Sequence, residues 1–127
     1  MADGTQRFAS GVPQLDQMLA GDWMNPETGE RAPRIPFRDI RLMDTTDGAE
    51  EDLIGPLNLG RRLAVVSDRN THDALGERVA RGIRKRGTID DIVIDFDEAT
   101  IEAVAEVRDK TRHADAVIAV GSGTLQD

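Results

Sequence analysis

A chain of 127 residues with no cysteine and a formal charge of −8 has room for one core, which should bury roughly two thirds of the surface of its unfolded chain. It carries no disulfide framework, thiolate nucleophile or cysteine zinc site. Its charge argues against nucleic acid or an anionic membrane as partner, so a bound phosphate has to be held by a local device. With no apolar window of membrane-spanning length and no basic-then-apolar leader, the expected location is the cytoplasm.

Residues 1–34 are polar and broken by Pro13, Pro26 and Pro33, with a short helix predicted over 12–19 and a turn at 25–29. Met18, Leu19 and Trp23 are expected to form a small apolar cluster that pins this N-terminal extension. Residues 35–43 alternate (Ile35, Phe37, Ile40, Leu42) as a strand does, and Pro36 confines it to an edge or a strand start. An acidic stretch, 44–52, leads into a short helix over 50–57. From there the pattern is regular. A buried strand over 62–67 precedes a helix over 70–85 with Leu75, Val79 and Ile83 on one face, ended by Gly87. A second buried strand spans 91–96, a helix carrying Ile101, Val104, Ala105 and Arg108 spans 98–110, and a third strand, buried on both faces, spans 116–120. Strand, helix, strand, helix, strand with short connections means βαβ units. The fold class is therefore α/β, a Rossmann-like parallel sheet with helices on both sides over 35–127.

Ligands of open parallel sheets gather at the carboxyl ends of the strands. After the first buried strand stands Ser67-Asp68-Arg69-Asn70-Thr71. Here Asp68 can accept from the hydroxyls of an adenosine ribose or simply cap the helix, and Thr71 can cap or touch an adenine edge. After the second strand comes Asp95-Phe96-Asp97-Glu98, an acidic loop and helix start in which Asp97 and Glu98 are placed to complement a helix dipole. After the third strand Gly121-Ser122-Gly123 permits a tight turn into Thr124, a good N-cap. Glycines there let a pyrophosphate approach free N–H groups without meeting a Cβ. The acid precedes the glycines, the reverse of the common dinucleotide fingerprint. Gly76, inside the long helix, marks a close approach to sheet or ligand. His72 and His113 have no partner at metal-ligand spacing, and Arg84, Lys85 and Arg86 suit a helix C-terminus.

The segments from Leu63 to Thr71, with Gly76, and from Ala119 to Asp127 resemble the sn-glycerol-1-phosphate dehydrogenase family, related to glycerol dehydrogenase, iron-containing alcohol dehydrogenases and dehydroquinate synthase. Residues 20–29 are similar to the N-terminal stretch of its bacterial members. Gln126 departs from the Asn expected there. The resemblance implies the N-terminal, nucleotide-binding half of an enzyme that reduces dihydroxyacetone phosphate to sn-glycerol 1-phosphate with NADH or NADPH. It implies Asp68 on the adenosine ribose and Gly121, Ser122 and Gly123 on the pyrophosphate. It further implies Thr124 on the nicotinamide side and Asp127, the candidate catalytic residue, on the nicotinamide or the substrate hydroxyl. The divalent metal of the family, zinc, nickel or iron, is held by a helical C-terminal domain, so no metal ligand is expected in this chain.

A helix opened within the last residues suggests the front part of a longer protein, inactive by itself. Its expected partners are a small phosphorylated substrate and further copies of itself, the latter through an apolar surface near 120–125. The alternative is a non-enzymatic flavodoxin-like nucleotide-binding module or a receiver-type module phosphorylated on Asp68. A receiver's late lysine is missing after Gly123.

Overall fold

Pro13 has its φ preset for a helix start and lacks the N–H that a first turn leaves unbonded. It opens α1 (Pro13–Ala20). In the computed structural model, which describes residues 8–126, the chain divides between Thr46 and Asp47 into two units. Within the first, Leu19 is fully buried and Met18 and Trp23 are half-buried. Arg34 Nε donates to the Leu19 carbonyl at 2.9 Å, and Asn25 Oδ1 accepts from the Glu27 and Thr28 N–H groups in the expected turn. The strand expected over 35–43 is not there. That stretch is irregular, with Phe37, Leu42 and Met43 exposed. Alternation makes a strand only where a neighbour takes up the ladder, and Pro36 removes a donor from it.

The second unit begins with α2 (Glu50–Ile54) and a three-ten turn, Gly55–Leu57. The apolar run Leu63-Ala64-Val65-Val66 then forms the middle of β1 (Arg62–Asp68), which is paired in parallel on both sides. Its neighbours are β2 (Thr88–Ile94) and β3 (Ala116–Ala119), so the sheet order is β2-β1-β3. Only β1 is buried on both faces. The two flanking strands, expected to be buried, are edges, with Val93 and Val117 exposed. The second strand also lies earlier than the predicted 91–96, because its ladder with β1 starts at the Arg62↔Thr88 pair.

After β1 the chain forms α3 (Arg69–Thr71), a π turn (His72–Gly76) and α4 (Glu77–Gly82), followed by a three-ten turn, Arg84–Arg86. The predicted helix over 70–85 is thus interrupted. Gly76 is the reason for its presence there: a Cβ on it would lie 2.7 Å from Ser67 Oγ and 3.0 Å from Ser67 Cβ. The helix approaches β1 more closely than any side chain permits, and the widened turn accommodates that approach. Leu63 and Val65 then meet Val79, Ala80, Ile83 and Val120 in the core on this face.

The opposite face is covered by α5 (Ile101–Thr111). It starts at Thr100, whose Oγ1 accepts from the Ala103 N–H at 3.1 Å, so Asp97 and Glu98 lie upstream of the helix and outside its first turn. A side-chain cap settled the start, where a charge preference alone suggested 98. Between α5 and the sheet is a cavity of about 400 Å³ lined by Val66, Ile94, Ala103, Val107 and Ala119, among others. Ile101 is 85% exposed and turned away from it. Where an apolar surface is expected near 120–125, Val120 is buried and Leu125 half-buried; the exposed apolar side chains nearby are Val104 and Val117. Among the described residues no helix is long and apolar enough to cross a membrane.

The foot of the sheet is tied by Asp115. Its Oδ2 accepts from the Arg61 N–H at 2.8 Å and the Arg62 N–H at 2.9 Å, and its own N–H donates to the Arg62 carbonyl at 2.7 Å. Gly60, at φ +98°, lets the chain enter β1 against the Asp115 side chain. The Arg62 and Arg61 N–H groups hold the Asp115 carboxyl below its usual range. A carboxyl whose folded pKa lies below its unfolded value, about 3.9, contributes its full stabilisation above that value. The contribution fades as pH falls through the folded pKa. Asp115→Asn is expected to lower stability near neutral pH and to lessen its dependence on pH below about 4. Urea unfolding of both proteins across that range checks this; parallel acid limbs would refute the role.

Candidate functional site

The strand order reverses at β1. The chain leaving β1 passes to the face that carries Val79 and Ile83, whereas α6 (Gly123–Gln126), leaving β3, sets Leu125 beside Val66 and Ala119 on the other face. Such a switch point opens a crevice outside the carboxyl ends of its two strands. Val66 pairs with Ala119, and the Val120 N–H donates to the Val66 carbonyl at 2.9 Å. Asp68 and Gly121 each follow by two residues the last pair of this ladder, Val66 with Ala119, so both stand at the carboxyl ends of adjacent strands.

Asp68 is the N-cap of α3. Its Oδ1 accepts from the Thr71 N–H at 2.8 Å, and Thr71 Oγ1 accepts from the Asp68 N–H at 3.0 Å, closing a capping box. Capping does not exhaust the carboxylate. It offers about four acceptor sites, and among the described residues Oδ2 has no partner. Asp68 can therefore hold its helix and still accept from a diol. Thr71 is committed to the box, which accounts for its position without an adenine contact.

Gly121, Ser122 and Gly123 are exposed beyond β3. A Cβ at Gly123 would meet nothing within 4 Å, whereas one at Gly121 would collide with the Leu125 side chain. Gly121 serves the tight return onto the sheet, and the space beside Gly123 is open. The last helix starts at Gly123, so Thr124 lies inside its first turn and not at the N-cap. The Leu125 N–H donates to the Ser122 carbonyl at 3.1 Å. The candidate catalytic residue Asp127 lies outside the described residues.

Two features were missed from sequence. Arg69 Nη2 donates to Asp95 Oδ2 at 2.8 Å, an exposed ion pair that links the start of α3 to the end of β2. The sequence places Asp95 in the acidic loop after the second strand but gives no sign of its pairing with Arg69, a partner 26 residues away. Ser67 is fully buried, and among the described residues its Oγ has no partner; Gly76 was the only hint of that crowding.

His72, in the π turn, places Nε2 2.9 Å from Asp91 Oδ2 on β2. This hydrogen bond raises the imidazole above its usual pKa, a structural pairing away from the glycine turn. His113 is exposed before β3. Among the described residues no three His, Asp or Glu side chains gather to hold a metal ion, whereas a dinucleotide would find open space beside Gly123 and a second carboxylate oxygen at Asp68.

Comparison with curated proteins and with solved structures returned no match. The family model for iron-containing alcohol dehydrogenases matches residues 42–127, which takes in the whole sheet, the Asp68 cap and the glycine turn. The parallel sheet with its switch point at β1 is consistent with this match, and the chain belongs to the iron-containing alcohol dehydrogenase family, oxidoreductases that use NAD(P) and a metal.

Proposed function

We propose that this chain is the NAD(P)-binding portion of an oxidoreductase that reduces dihydroxyacetone phosphate to sn-glycerol 1-phosphate. The observation that carries the cofactor half is the open volume at Gly123 one strand away from a carboxylate with a free oxygen. The pyrophosphate lies on the Gly121-Ser122-Gly123 backbone, whose N–H groups and missing Cβ atoms suit it, and Asp68 Oδ2 accepts from the ribose. Thr124 and Asp127 are assigned to the nicotinamide side. The substrate half is supported by the resemblance of the Gly-Ser-Gly-Thr-Leu turn to the glycerol-1-phosphate branch. Under this proposal the protein is a cytoplasmic homo-oligomer acting on a small phosphorylated molecule, without nucleic acid or membrane as partner.

Asp68→Ser separates the two duties of this residue, because serine still caps a helix but offers no carboxylate. It is expected to weaken NADH binding, read by fluorescence of the bound nicotinamide, while leaving the thermal midpoint within a few degrees. Unchanged NADH affinity would remove Asp68 from the site. Gly123→Val fills the open volume; it should abolish dinucleotide binding with little loss of stability, and NADH bound as before would put the cradle elsewhere. The substrate is tested in a protein containing this unit by following NADH oxidation with dihydroxyacetone phosphate against unphosphorylated dihydroxyacetone. The phosphate ester is expected to be strongly preferred and the product to be the sn-1 isomer. Preference for the unphosphorylated ketone would overturn the assignment. The 127-residue chain alone, with zinc, nickel or iron added, is expected to show no turnover, because its described residues gather no metal-ligand set.

A further inference from the structure

The strand order places a row of features along one sheet edge: the glycine turn after β3, Asp68 at the end of β1, and Asp95 with Arg69 after β2. Adjacent strands stand about 5 Å apart. A dinucleotide with its pyrophosphate on the β3 turn and its ribose diol at Asp68 therefore extends towards β2. In that pose the 2′ position of the ribose would lie on the β2 side of Asp68, the side on which the Arg69 guanidinium pairs with Asp95. Arg69 and Asp95 are both about three quarters exposed, so neither holds the core together. An exposed ion pair of this kind adds little to stability, and its arginine can exchange one anion for another at small cost. In a chain of charge −8, a phosphate at this edge needs such a local cation.

We propose that Arg69, held in readiness by Asp95, is a receptor for the 2′-phosphate of NADPH, so that this unit accepts the phosphorylated as well as the unphosphorylated cofactor. The inference rests on the dinucleotide reading above and extends it to the choice of cofactor. Asp68 and Asp95 repel a 2′-phosphate, and the planar guanidinium compensates by binding two of its oxygens at once. Asp95 occupies that donor fork when NADH is bound and gives it up to the phosphate of NADPH. Discrimination is then set by the difference between two carboxylates and one arginine, and each can be changed separately.

The test is fluorescence titration of the whole chain with NADPH and with NADH. Unmodified protein is expected to bind both with dissociation constants within about tenfold of each other, since one charge-assisted contact offsets about that much. Arg69→Gln should raise the NADPH-to-NADH ratio of dissociation constants roughly tenfold. Asp95→Asn should lower it several-fold, and that gain should shrink when Arg69→Gln is already present, because the freed donor fork is then missing. An unchanged ratio in Arg69→Gln, equal weakening of both cofactors, or an Asp95→Asn gain of the same size in both backgrounds would each overturn the proposal. Failure of the unmodified chain to bind NADH as well as NADPH would instead overturn the dinucleotide reading, and this inference with it. Competition by 2′,5′-ADP against 5′-ADP repeats the comparison without the nicotinamide; Arg69→Gln should remove any advantage of the former, and an advantage that persists counts against Arg69.

Discussion

The crevice depends on the register of β3 against β1. Side chains alternate along a strand, so a slip of one residue would turn Ile118 and Val120 from the α4 core towards α5 and carry the glycine turn to the wrong depth. Apolar strands of four to seven residues resist such slips poorly by pattern alone, because each register offers apolar neighbours. The Asp115 carboxylate removes the ambiguity. It accepts from two consecutive N–H groups at the entry to β1 while its own N–H bonds the Arg62 carbonyl, an arrangement that no neighbouring register reproduces. The apolar ladder above it follows from that foot, up to the Val120 contact with Val66.

At the other end of the sheet, the proposed function would have structure and binding share the same residue. Asp68 spends one oxygen on the start of its helix, which leaves the other for a ligand under that proposal. The capping box orients the carboxylate before any ligand arrives, so little rotamer freedom is left to lose on binding. The same economy has a structural cost at Ser67, immediately before it. The helix comes so close that the hydroxyl is sealed against Gly76, and a buried hydroxyl without a partner is destabilising. Closeness of helix to strand at this point keeps the cap where the crevice needs it.

Much of the second unit was legible because its signals are local. Leu63 to Val66 has one reading, Leu75, Val79 and Ile83 recur at helical spacing, and a glycine turn after an apolar run announces itself. Asp68 as cap or ribose ligand was an open pair of readings, and the capping geometry admits both. What could not be read depended on partners distant in sequence. The alternation of Ile35, Phe37, Ile40 and Leu42 has the right period but lacks a neighbouring strand. β2 begins at Thr88 because Arg61 and Arg62 are there to pair with it, although Thr88 and Asp90 look like loop residues. Its true end exposes Asp95 to Arg69, a contact between residues 26 apart. The π turn left only Gly76 as its trace, since its cause is the proximity of Ser67.

The central position of β1 also bears on how freely the chain could be rewired. Arg62 contacts Asp90 across 28 residues and Asp115 across 53. Loop-closure entropy grows only with the logarithm of length, so doubling the span adds about 0.6 kcal/mol. The edge carrying the glycine turn is therefore secured by bonds at its foot far more than by the shortness of the chain that delivers it. The exposed residues 97–99, between β2 and α5, form a connection in which evolution or an engineer can insert a longer excursion, or even open new chain ends, without displacing the crevice from the strands that define it.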